Sequence, residues 1–90
     1  MKEFDRDKFE EILWKKSDER LHELYLIAKK EIGETLMYYY HKKCFMKHLE
    51  FNEAPKTWRI RLLEKTYWHI YIHYRDLRTK QYEGYKRIAM

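Results

Sequence analysis

The stretch TWRIRLLEKTYWHIYIHYRDLRTKQY, residues 57–82, decides the fold because it supports two incompatible periods. With a period of two, Trp58, Ile60 and Leu62 alternate with Arg59 and Arg61, and Thr66 to Tyr74 is rich in β-formers. In steps of three and four, Ile60, Leu63, Tyr67, Ile70, Tyr74, Leu77 and Gln81 follow one another without a slip, which is a heptad seam. A hairpin would need its turn at Glu64-Lys65, a pair with no residue suited to left-handed backbone. The helix is favoured, with an α+β fold carrying a C-terminal β-hairpin at 57–75 as the alternative.

The rest of the chain agrees with a helical reading. Its 90 residues include two glycines, one proline, one serine and one asparagine, and no valine. An all-β fold of this length needs a turn every ~8–12 residues, which these five cannot supply. The spacing predicts one domain with helices at about 4–16, 18–48 and 55–82. Asp5 and Asp7 suit the opening turn of the first helix, and Lys15 and Lys16 suit its end. Ser17, followed by Asp18 and Glu19, is a good N-cap for the second. The stripe Leu21, Leu24, Ala28, Ile32, Leu36 and Cys44 keeps phase across Gly33, which predicts a continuous or mildly kinked helix. Leu49 to Lys56 forms the connection, and Gly84 ends the structure ahead of a short basic tail. The expected architecture is all-α: a short N-terminal helix, then a long antiparallel hairpin whose two helices are each ~42–46 Å long. A lone hairpin buries little, so pairing into a dimeric helix bundle is expected.

Composition also excludes classes of protein. Nine tyrosines, three tryptophans and four phenylalanines are too many for a disordered chain. No stretch approaches ~18 uncharged apolar residues, so no membrane span is expected. The start carries acids where a signal peptide needs an apolar run. A single cysteine, Cys44, cannot form an internal disulfide and suits the cytoplasm or another reducing compartment.

Two histidine groups could carry chemistry. His41, Cys44 and His48 share one helix face, and His69 and His73 lie four apart on the last helix. Zinc at His69 and His73 is the metal reading. Against it, a hairpin turning near residue 52 would set the Glu31–Glu34 region, not His41, opposite this pair. Histidines at the surface or at a subunit interface are the simpler reading, with no cofactor. Cys44 stands beside Lys42, Lys43 and two histidines, which could activate a thiol. Burial as an inert side chain is the simpler account. The chain has no Gly-rich phosphate loop, no GxSxG elbow and no HExxH, so a non-enzymatic role is expected.

Charge is more informative. Residues 1–34 hold eight Lys/Arg against ten Asp/Glu, whereas residues 35–90 hold twelve against five and carry twelve of the sixteen aromatics. Cations mixed with rings suit a nucleic-acid surface, where phosphates meet the cations and bases stack on the rings. The expected function is binding of a polyanionic partner (RNA, DNA or nucleoprotein) through Lys42, Lys43, Lys47, Arg59, Arg61, Lys65, Arg75 and Arg78, with Trp68 as a stacking group. Trp68 and Ile72 lie behind the heptad seam, so that face must meet the first helix, a second subunit or an outside partner. The competing readings are a regulatory protein-binding adaptor or inhibitor, of the mobile-element type or a small subunit of a larger assembly, and a metal-binding helical protein.

Overall fold

The computed structural model describes residues 4–44 and 48–74, with side chains as far as Ile72. Among these residues there are four α-helices and no strand: α1 Arg6–Trp14, α2 Asp18–Ile32, α3 Glu34–Lys43 and α4 Lys56–Tyr74. A single 3-10 turn, Phe51–Glu53, lies in the connection between α3 and α4.

Residues 56–74 are helical, so the β-hairpin alternative at 57–75 is set aside. The strand-like richness of this segment has a tertiary cause. Helix α4 is the centre of the molecule, with Arg59, Ile60, Leu62, Leu63, Glu64, Thr66, Tyr67, Ile70 and Tyr71 all buried. A helix covered on most of its sides is apolar nearly all round, so both periods find hydrophobic residues in it. The described part of the predicted seam is buried, with Ile60, Leu63, Tyr67 and Ile70 each no more than 1% exposed, as are Leu62 and Thr66 beside it. The Tyr74 side chain, Leu77 and Gln81 lie outside the described residues.

The helix starts follow local capping chemistry. Asp5 and Ser17 accept hydrogen bonds from the backbone N–H groups of Lys8 (3.1 Å) and Arg20 (3.2 Å), satisfying donors that the first helical turn leaves open. The C-terminus of α1 is closed from a distance: Lys56 Nζ donates to the carbonyls of Trp14 (3.0 Å) and Lys16 (3.5 Å) and lies 5.5 Å from the Trp14 ring centroid. A cation at a helix C-terminus meets the negative end of its dipole. Lys15 and Lys16, the cations expected there, follow the helix and do not supply this contact.

The long second helix expected over 18–48 is broken. Gly33 has φ 87 and ψ 157, outside any helical region, and α3 begins at the next residue. In-phase apolar spacing across Gly33 therefore reports two helices that share one core. The antiparallel hairpin changes accordingly. Asp18 meets Arg59 and Leu24 meets Tyr67, so α2 and α4 run in the same sense. The charges of Arg61 and Lys65 reach Cys44, just past the end of α3, while Tyr40 meets His69, so α3 runs against α4. Helix α1 also runs against α4: Phe9 packs on Tyr67, while Phe4 packs on Trp68 and Tyr71 farther along α4. The described residues span 37 × 28 × 19 Å, and the ~46 Å rod expected over 18–48 is replaced by two helices. The part of the last helix expected over 75–82 and the stop at Gly84 lie outside the described residues. Folding the chain into shorter helices lets α1, α2 and α3 surround α4 on three sides.

Candidate functional site

The fold sorts the cations into those it uses and those it leaves to solvent. Arg59 belongs to the first group. It is buried, donates Nε to the Ala54 carbonyl (3.1 Å), pairs with Asp18 (3.0 Å) and lies over the Phe51 ring. With those donors engaged inside the protein, Arg59 holds the connection onto α2. Arg6, outside the expected set, is bonded to the buried Glu64 and stacks over Trp68, its guanidinium 5.1 Å from the ring centroid. Trp68 is thereby half-covered by Arg6, Phe4 and Tyr71, which answers part of what the back of α4 meets: it meets the first helix.

The second group is Lys42, Lys43, Arg61 and Lys65. None of them forms an ion pair among the described residues, and Lys42, Lys43 and Arg61 are exposed. They gather because α3 lies antiparallel to α4. Lys42 and Lys43 immediately precede Cys44, and the charges of Lys65 and Arg61 act on the same thiol. On α4, Arg61 and Ile72 are exposed and Lys65 is half-buried. Lys47, Arg75 and Arg78, and the side chain of His73, lie outside the described residues.

Helix α3 supplies the rings. Met37, Tyr40 and Cys44 turn inward at three- and four-residue steps, while Tyr38, Tyr39, Lys42 and Lys43 face outward. Tyr38 is 63% exposed and Tyr39 is 50% exposed, and Lys43 Nζ sits 5.4 Å from the Tyr39 ring centroid. The run Tyr38-Tyr39-Tyr40 thus splits by direction. Tyr40 turns back to within 3.2 Å of His69 Nδ1, and burial pushes its hydroxyl above the usual phenol range. Sequence reasoning assigned the stacking role to Trp68, not to these tyrosines. The available signal was their pairing with lysines four residues on, which puts Tyr38 with Lys42 and Tyr39 with Lys43 on one face.

Beside Tyr38 a groove of about 730 Å³ runs between α2, α3 and the connection. Tyr25, Tyr38, His41 and His48 line it, together with the carboxylates Glu34 and Glu50. Burial lowers the affinity of His41 for a proton, opposed by its hydrogen bond to the Leu49 backbone and by the charge of Glu50. The expected trio His41, Cys44 and His48 does not share this groove, because Cys44 points into the core and is fully buried. Among the described residues no group of three or more His, Cys, Asp or Glu side chains could hold a metal ion. His69 faces Tyr40, not the Glu31–Glu34 region that a simple hairpin would have set opposite it.

Cys44 is placed as an inert thiol. Burial pushes it above the ordinary thiol range, Arg61 and Lys65 pull the other way, and Glu64 adds to the burial effect. Since thiolate is the reactive form, alkylation of the native protein with iodoacetamide at neutral pH is expected to be negligible, becoming rapid once denaturant exposes the side chain. Fast labelling without denaturant, followed by mass spectrometry, would contradict this placement.

No protein-family model, no curated protein and no solved structure matches this chain. No described helix is long and apolar enough to cross a membrane. Function must therefore be argued from the site itself.

Proposed function

We propose that this chain is a non-enzymatic binding protein whose α3–α4 face takes a polyanionic partner, a nucleic acid or nucleoprotein. One observation carries the reading: among the described residues Lys42, Lys43, Arg61 and Lys65 form no ion pair, the first two at the end of α3 and the other two acting on Cys44 from α4, with the exposed Tyr38 and Tyr39 one turn earlier on α3. Cations already neutralised within a fold gain little from a phosphate, whereas free ones gain attraction and release counterions. Arg59 and Arg6 are excluded from the site on the same ground, and Lys56 because its ammonium is held by the Trp14 and Lys16 carbonyls.

Fluorescence anisotropy with labelled RNA and DNA oligonucleotides at low salt tests the reading. Binding is expected, and its logarithm should fall linearly with the logarithm of salt, by roughly 0.7–0.9 per phosphate neutralised. Lys42→Gln with Lys43→Gln should make that slope shallower by about 1.5. No binding to either polymer at low salt would end the proposal. Homodimerisation and a cytoplasmic location accompany it as expectations.

A second reading, a protein-binding adaptor or inhibitor, draws on Ile72, which is 39% exposed on α4 with half-buried Trp58 on the same helix. It predicts a partner held through apolar contacts whose affinity barely changes with salt.

A further inference from the structure

We infer that the α3–α4 face selects single-stranded over double-stranded nucleic acid, with Tyr38 as the principal base-stacking platform. The inference rests on the polyanion reading above and specifies its partner.

The first argument is ring exposure. Tyr38 and Tyr39 stand on the outer arc of α3 at 63% and 50% exposure, with much of each ring open to solvent. In a duplex both faces of every base are covered by its neighbours, so such a ring finds only edges and backbone. In a single strand the base faces are free, and stacking on an aromatic side chain is favourable for any base. Tyr38 is the more open of the two rings. Tyr39 has the Lys43 ammonium 5.4 Å from its centroid and the Tyr40 ring edge-on at 5.5 Å.

The second argument is where the charges sit. Lys42 and Lys43 share the outer arc of α3 with the rings, and Arg61 and Lys65 continue the positive potential onto α4. That arrangement suits one phosphate chain passing over the end of α3 with its bases turned toward the tyrosines. The groove beside Tyr38 carries more acid than base: Glu34, Glu50 and Glu53 line it together with Lys29, whose ammonium lies 3.8 Å from Glu34. Carboxylates repel a phosphate but accept hydrogen bonds from base amino groups, so an unstacked base can enter where the backbone cannot. His41 also lines the groove, and burial lowers its affinity for a proton.

The test uses the full chain with labelled single strands of about 12 nucleotides, as RNA and as DNA, and the duplexes of the same sequence. A single strand of either sugar is expected to bind at least about tenfold more tightly than its duplex. Tyr38→Ala should weaken single-strand binding by roughly five- to 150-fold, the range for one stacked base, while leaving the salt slope and duplex binding unchanged. Tyr38→Phe should retain most of the affinity, because the ring and not the hydroxyl does the stacking. Both variants sit on an exposed ring, and circular dichroism should report an unchanged helix content. Equal or tighter binding to duplex, or a Tyr38→Ala variant that binds single strands like the parent, would overturn the inference while leaving the polyanion reading intact. Failure of every nucleic acid to bind would overturn both.

Discussion

Tyr67→Ala is expected to cost about 3–5 kcal/mol of folding stability, the usual range for deleting a large buried ring. The ring is fully buried at the centre of α4 and packs on Phe9 of α1 at a centroid distance of 5.5 Å. Its hydroxyl donates to the Leu24 carbonyl of α2 (3.0 Å), so one side chain joins three helices. A domain of this length has roughly 5–13 kcal/mol of stability in total, and the substitution therefore removes a large share of it. Tyr67→Phe separates the two contributions. It keeps the packing and gives up one buried hydrogen bond, for an expected loss of about 1 kcal/mol. Urea denaturation followed by circular dichroism measures both. A loss below about 1 kcal/mol for Tyr67→Ala would mean that α4 is not the core helix described.

Gly33→Ala is the second large effect, and its sign carries the information. In a continuous helix, replacing an interior glycine by alanine stabilises by up to about 1 kcal/mol. Here Gly33 has φ 87 and ψ 157, a region that side-chain-bearing residues scarcely visit, and adopting it costs about 1–3 kcal/mol. An added Cβ would meet no atom within 4 Å, so the penalty is one of backbone strain alone. A fall in the urea midpoint is expected, with a larger fall for the β-branched Gly33→Val. A rise in the midpoint for Gly33→Ala would restore the long second helix.

How far the chain could be read in advance follows from which interactions are local. The capping roles of Asp5 and Ser17 depend on residues three positions away, and both appear at the helix starts. The seam Ile60, Leu63, Tyr67 and Ile70 depends on helical period alone, and it is buried. Gly33 misled because periodicity is blind to a break that preserves phase. The stripe read from Leu24 through Ala28 to Leu36 is silent on whether one rod or two carry it, and after the break Met37 is the buried residue while Leu36 is half-buried. Among the candidate cations, Arg59 and Arg61 look alike in sequence, two residues apart on one helix. Only the path of α2 and the connection makes the first a buried strut bonded to Asp18 and Ala54, while the second stays in water. Trp68 shows the same limit, since its cover comes from Phe4 and Arg6, more than sixty residues earlier in the chain.

The amino-acid sequence by itself determined the helical class, the starts of α1 and α2, the buried seam of α4 and the segregation of charge into the second half. Each of these rests on composition or on contacts within a turn or two of helix. Tertiary structure alone decided that α4 is central, that α2 runs with it and α3 against it, and that Lys42, Lys43, Arg61 and Lys65 form no ion pair among the described residues while Arg59 is bonded to Asp18 and Ala54. The physical reason is that a side chain's availability depends on what the distant chain places over it. The residues that make the α3–α4 face basic and aromatic are written in order along 38–65, but their gathering into one surface is a property of the packing.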